Sequence, residues 1–183
     1  NFPFATYYMD AKTQYLYLSS EINTAGSNIM QIAFDVVNAD PGAMNNFSIK
    51  FQNTSMTSLS GFVTNGWTTG FSPASYTVTG TGWQTIELTQ PFQYSGGNLL
   101  VEICYDNSDF TQYSTVNSTP ANGMFWGRYG DLSTTSGCAT TSWTSSTAPP
   151  GRANTRLTFS PFTSVAGNSN GLPGSFDLKQ NYP

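Results

Sequence analysis

Seven residues, Asn46 to Gln52 (NFSIKFQ), put Phe47, Ile49 and Phe51 on one side of an extended chain and Ser48 and Lys50 on the other. Successive side chains of a β-strand point to opposite faces, so this alternation predicts a half-buried strand, the cleanest in the chain. A slip of one residue would turn the whole apolar face to water, so the register is tightly specified. The same period of two recurs between residues 13 and 160. It predicts strands at Thr13–Ser19, Ile29–Val37, Ser58–Thr64, Ser75–Thr79, Trp83–Thr89, Gly123–Tyr129 and Thr155–Ser160. Asn98–Tyr105 (NLLVEICY) is almost continuously apolar, which predicts a central strand covered on both sides. Pro41-Gly42, Asn65-Gly66, Gly80-Thr81-Gly82, Gly96-Gly97 and Asn122-Gly123 fall between these segments, where turns are needed. Only Ser19–Ile22 reads as a helical turn, and no repeat of fixed period is present. About nine short strands at this spacing predict an all-β fold, a jelly-roll-like antiparallel β-sandwich. Phe34, Val36, Phe47, Ile49, Phe51, Ile86, Leu88, Leu100, Val101 and Ile103 are its expected core, with Trp83, inside a strand, also expected to be buried.

The side chains available agree with that fold. Thirteen Phe, ten Tyr and four Trp supply apolar area, while only 9% of residues are charged. The polar remainder is largely Thr, Ser, Asn and Gln, which suits strands and turns and makes poor helix. This is the composition of an extracellular all-β protein. The alternation ends near Pro161, and Ala166–Gly171 reads as a flexible linker. The expected organisation is one domain over 1–162 and an extended C-terminal tail over 163–183. Residues 130–153 form a long Ser/Thr/Gly-rich loop, and loops of that length are usually functional or pinned. No basic-then-apolar leader opens the chain, so Asn1 is expected to follow a removed signal peptide.

Several functions are disfavoured. The net charge is −4, and six Lys plus Arg are spread thinly, so no basic patch exists to neutralise nucleic-acid phosphates. No apolar run approaches the roughly 20 residues of a membrane-spanning helix. The chain has no histidine, which removes the usual general base and the usual metal ligand. A glycosidase would need two positioned carboxylates, for which Glu87 and Glu102, facing each other across neighbouring strands, are the candidates. Outward-facing, hydrogen-bonded roles suit them better, and the chain is read as a non-enzyme.

The remaining chemistry is sparse. Cys104 and Cys138 match no zinc or redox spacing. They either pair as one disulfide, as an oxidising compartment favours, or stay as two buried thiols. Asp106, Asn107 and Asp109 are candidate calcium ligands, with Asp10 as a fourth, because hard oxygen ligands suit that ion. The same D-N-x-D spacing also describes an ordinary polar turn. Calcium is the one candidate cofactor. Trp67, Trp126 and Trp143 lie in or near turns, with Tyr113 and Tyr129 nearby, and are candidates for stacking on sugar rings; core packing and end-capping compete with that role. Phe2 and Phe4 at one end, and Phe176 and Leu178 at the other, alternate as strand residues do. Each segment is a candidate for self-association by adding a strand to a neighbouring subunit.

Two stretches resemble known families. Phe176-Asp177-Leu178-Lys179-Gln180-Asn181-Tyr182-Pro183 resembles the opening of the C-terminal sorting domain of type IX secretion cargo. The domain is similar to a β-sandwich module of large surface proteins exported by that route. The likeness is carried by Tyr7-Tyr8-Met9-Asp10, Gln14-x-Leu16-Tyr17 and Glu21, by Met44-Asn45-Asn46-Phe47-x-Ile49-Lys50, by Gly82-Trp83-x-x-Ile86 and Pro91-Phe92, and by Asn98-Leu99-x-Val101-Glu102-Ile103-Cys104-Tyr105-Asp106-Asn107. The resemblance implies a jelly-roll-like sandwich, placement outside or on the outer surface of a Gram-negative bacterium, and an accessory module beside adhesive domains. It implies no catalytic residue. The expected function is therefore a structural or adhesive surface protein that self-assembles into a filament through a terminal strand, with a polysaccharide-binding module as the alternative.

Overall fold

Pairing of the alternating segments into sheets leaves few of them alone. The computed structural model describes residues 2–110, 112–143 and 151–160. Its strands are β1 (Asp10–Tyr17), β2 (Ser27–Asn38), β3 (Met44–Asn45), β4 (Ser48–Thr54), β5 (Thr68–Phe71), β6 (Ser75–Tyr76), β7 (Gly82–Tyr94), β8 (Asn98–Asp106), β9 (Thr115–Val116), β10 (Ser118–Pro120), β11 (Phe125–Gly130), β12 (Gly151–Ala153) and β13 (Thr155–Ser160). One short helix, α1 (Ser19–Ile22), follows β1, and the Leu18 amide donates to the Glu21 carboxylate at its start. A five-stranded sheet runs β11-β1-β8-β4-β5, and a second runs β13-β2-β7 with β9 also on β2. Two small ribbons, β3-β6 and β10-β12, complete the set. The pairings are antiparallel, and the chain crosses repeatedly between the two sheets, as in a jelly-roll-like sandwich. No helix among the described residues is long and apolar enough to cross a membrane.

The predicted core is the core. Phe34, Val36, Phe47, Ile49, Phe51, Ile86, Leu88, Val101 and Ile103 lie in one buried cluster between the sheets. Leu100 is buried too, but on the opposite face of β8, with Leu16 and Leu59. That second cluster explains the continuous apolar run of β8. Its odd residues enter the sandwich, and its even residues, Leu100, Glu102 and Cys104, lie under loops that cover the outside of the sheet. The cover also buries Ser48, so β4 is less one-sided than its alternation predicts.

Beneath that cover sits an ionic cluster. Glu102 is only 2% exposed and accepts from Lys50 at 3.0 Å and Gln14 at 2.7 Å, with Lys12 at 3.8 Å. Lys12 also donates to the carbonyls of Cys138 and Thr140 and lies over the Phe62 ring. Burial pulls the Lys12 ammonium below its ordinary range, opposed by the Glu102 charge. Glu87 and Glu102 do not face each other; both take hydrogen-bonded roles as expected, but Glu102 is buried and not outward-facing. Glu87 is exposed on β7, in the other sheet, and takes a hydrogen bond from Gln31.

Some local readings change. Ser58–Thr64 is not a strand; Leu59 and Val63 are used as cover over Leu16 and Leu100, and the Leu59 amide donates to the Gly123 carbonyl. The strand on that side is β5, hidden from pattern reading by Gly70. A Cβ there would stand 2.7 Å from the Phe51 ring, so the residue must be small for β5 to lie on β4. Trp83 faces outward, beneath the Arg156 guanidinium at 3.8 Å. Phe2 and Phe4 are not free to leave. They are 6% and 0% exposed, with Phe4 edge-on to Phe34 and Phe2 against Phe125, so the N-terminal segment fills its own core. Phe176, Leu178 and the tail lie outside the described residues.

Candidate functional site

The N-terminal segment and the loop after β8 are stapled together at one end of the sandwich. Thr6 bridges to Tyr113, the Ser114 amide donates to the Ala5 carbonyl at 3.0 Å, and the Asn107 amide to the Met9 carbonyl at 2.9 Å. The buried Tyr105 hydroxyl accepts from the Thr6 amide and contacts its hydroxyl at 2.7 Å. These ties hold Tyr7 in the left-handed region, at φ 79°. A bulky residue there is a genuine outlier that the surroundings must over-determine.

The result is a set of exposed rings. Among the described residues, five large hydrophobic side chains are exposed. Three of them, Tyr7 at 49%, Phe110 at 60% and Tyr113 at 48%, are in contact. Tyr7 stacks on Tyr113 at 5.4 Å and 19°, and meets Phe110 at 5.6 Å. Tyr8 and Tyr129 extend the belt, 4.6 Å apart. Exposed aromatic area gathered in one place marks an interaction site far better than the same residues scattered.

Two open grooves share Asn107 and Ser108, and one of them reaches the belt at Phe110. One, of about 340 Å³, is lined by Asp40, Asn45, Asp109, Phe110 and Gln112 among others. The other, of about 450 Å³, lies between Met9, Asp106 and the loop at Leu132–Ser136. The Asn107 side chain builds the wall between them, accepting from the Asn45 amide at 2.6 Å and donating to the Ala43 carbonyl at 3.1 Å. Asp40 accepts from the Gly42 and Gln112 amides.

Asp10 sits behind the second groove, directly across from Asp106 on β8. It is fully buried and accepts from the Leu132 and Gly137 amides at 2.9 and 3.2 Å. Burial, with the neighbouring Asp106 carboxylate, pushes its carboxyl up to about 7, against the lowering effect of the two amides. The disulfide joins Cys104 to Cys138, with the Cα atoms 5.3 Å apart, so the loop reading is correct and the two-thiol alternative is not.

The expected sites are therefore only partly assembled. Asp10 and Asp106 are brought together, whereas the Asn107 amide is committed to residues 43–45 and Asp109 caps the Phe110 amide. Among the described residues, no group of three or more His, Cys, Asp or Glu could hold a metal ion. Trp67 and Trp126 come together, but half-buried over Leu16, Leu59 and Leu100, with the Trp67 indole donating to the Val63 carbonyl and Arg128 over Trp126. They roof the sheet and do not make an open platform. Trp143 is half-buried, its indole N–H without a partner among the described residues. Sequence reasoning missed Tyr7 and Phe110 as site residues. A Phe closing the otherwise polar run Asp106–Asp109 was the available signal.

No protein-family model, curated protein or solved structure matches the chain.

Proposed function

We propose that this β-sandwich is a non-catalytic adhesive or structural module displayed outside the cell, on the outer surface of a Gram-negative bacterium. The observation that carries the reading is the exposed Phe110–Tyr7–Tyr113 contact at one end of a rigid frame. The disulfide supports an oxidising compartment, and the FDLKQNYP segment supports export by the type IX route through its resemblance. Self-assembly into a filament belongs to the same reading. With Phe2 and Phe4 used internally, the terminal segment left to supply a strand is the one holding Phe176 and Leu178, and β13 offers a sheet edge to accept it.

The second reading, a polysaccharide-binding module, is favoured by the same ring cluster beside polar grooves. Calcium at the Asp106–Asp109 turn is compatible with either reading; an unchanged melting temperature on adding a chelator would remove it. The adhesive reading is tested with the full chain on polysaccharide-coated and protein-coated surfaces, together with sedimentation velocity of the full chain and a 163–183 deletion. It predicts retention on at least one surface, or concentration-dependent assembly that the deletion abolishes. A chain that is neither retained nor self-associating overturns it.

A further inference from the structure

We infer that the Phe110–Tyr7–Tyr113 belt and the groove beside it form a binding site for a neutral hexose chain, which deepens the adhesive reading and rests on it. The chemistry of the surface selects this occupant. Beyond the faces that Tyr7 and Tyr113 turn to each other, the two hydroxylated rings and one phenyl keep exposed apolar area suited to the C–H faces of a pyranose. Next to them, the exposed side chains of Asn45, Ser108 and Gln112 are committed to no neighbour among the described residues. Amides and hydroxyls of this kind both donate and accept, as vicinal sugar hydroxyls require. Asp109 keeps one carboxylate oxygen beyond the one that caps Phe110.

Charge decides between sugar classes. Neither groove is lined by a Lys or Arg, while Asp40, Asp106 and Asp109 all lie along them. An acidic polysaccharide would be repelled, and a neutral one would not. A second protein copy is the competing occupant, and the uncommitted amides and hydroxyl beside the rings favour sugar over it. The site is also prepared in advance. Tyr7 is held at a conformation its residue type avoids, by the bonds of Ala5, Thr6 and Met9 on either side, so little ordering is left for binding.

The test is native electrophoresis of the full chain through gels containing a mixed-linkage β-glucan, a galactomannan or a xyloglucan, with polygalacturonate as the anionic comparison. The expected result is retardation by at least one neutral polymer and none by polygalacturonate. Phe110→Ala and Tyr113→Ala should each weaken it by about tenfold, and so should Tyr7→Gly, which removes the ring while suiting the backbone. Trp67→Phe should leave it unchanged. The assignment is overturned if no neutral polymer retards the chain, if polygalacturonate retards it equally, or if Trp67→Phe abolishes retardation while Phe110→Ala does not. A chain that adheres to surfaces without competition from any neutral polymer overturns the sugar assignment and leaves the adhesive reading standing. Loss of self-association in Phe110→Ala, without glycan retardation in the parent chain, assigns the belt to a second copy and also overturns it.

Discussion

Gly137 lies so close to Asp10 that a Cβ at that position would stand 2.7 Å from the aspartate's own Cβ. The contact exists because the Gly137 amide reaches a carboxyl that is completely buried. Two independent ties thus hold the loop after β11 onto the sheet: the Asp10 carboxyl and, one residue further on, the Cys138 bridge. Gly137→Ala is expected to weaken the first while leaving the second intact, seen as a lower melting temperature with the disulfide still formed on mass mapping.

The Asp10 carboxyl gives a pH dependence of defined sign. Its folded value is raised to about 7 from an ordinary 3.8. The folded chain therefore holds this proton more tightly than the unfolded one. The stabilisation is complete below about 3.8 and is lost as pH rises through 7, at up to about 1.4 kcal/mol per pH unit. Urea midpoints measured from pH 5 to pH 8 are expected to fall through this window. Asp10→Asn should flatten that slope, and an unchanged slope in the variant would assign the titration elsewhere.

Glu102 and Glu87 should respond very differently to the same change. Glu102→Gln leaves Lys12 and Lys50 without their shared anion in a covered site, which costs about 3–5 kcal/mol when one member of a buried ion pair is removed. Glu87→Gln alters an exposed hydrogen bond to Gln31 and should stay within about 0.5 kcal/mol. Chemical denaturation of the two variants side by side checks the contrast.

Reducing the Cys104–Cys138 bond should lower stability by about 3–4 kcal/mol through the entropy returned to the unfolded chain. The loss should appear in denaturant melts with and without reductant. Cys104→Ala with Cys138→Ala should match the reduced protein and be insensitive to reductant.

Phe4→Ala tests whether the first residues belong to the core. Phe4 is fully buried against Phe34 and Phe47, so the truncation should cost about 3–5 kcal/mol. A near-neutral result would return this segment to the surface.

The fold was far more legible than the site, for a physical reason. Alternation reports which residues face a sheet's interior, so Phe47, Ile49 and Phe51 could be read from seven residues. It does not report what else covers the outside of a sheet. That is why Ser58–Thr64 resembled a strand, and why Trp67 and Trp126 resembled open platforms when they roof Leu16 and Leu100. Phe2 and Phe4 carried a strand-like pattern but no sign of which chain's core they would enter. The disulfide was legible because a long loop beside an apolar strand needs a tether. The ring belt was not, because Tyr7 meets Phe110 and Tyr113 only after β1 and β8 have paired.

That last dependence has a use of its own. The ring belt is split between Tyr7 and a turn about a hundred positions later that carries Phe110 and Tyr113, so neither half alone forms it. If the proposed export and adhesion hold, a chain that is still unfolded carries the two parts of this surface separately. On that proposal, binding would begin only when folding is finished, and a single cut between the two segments that lets them part would end it.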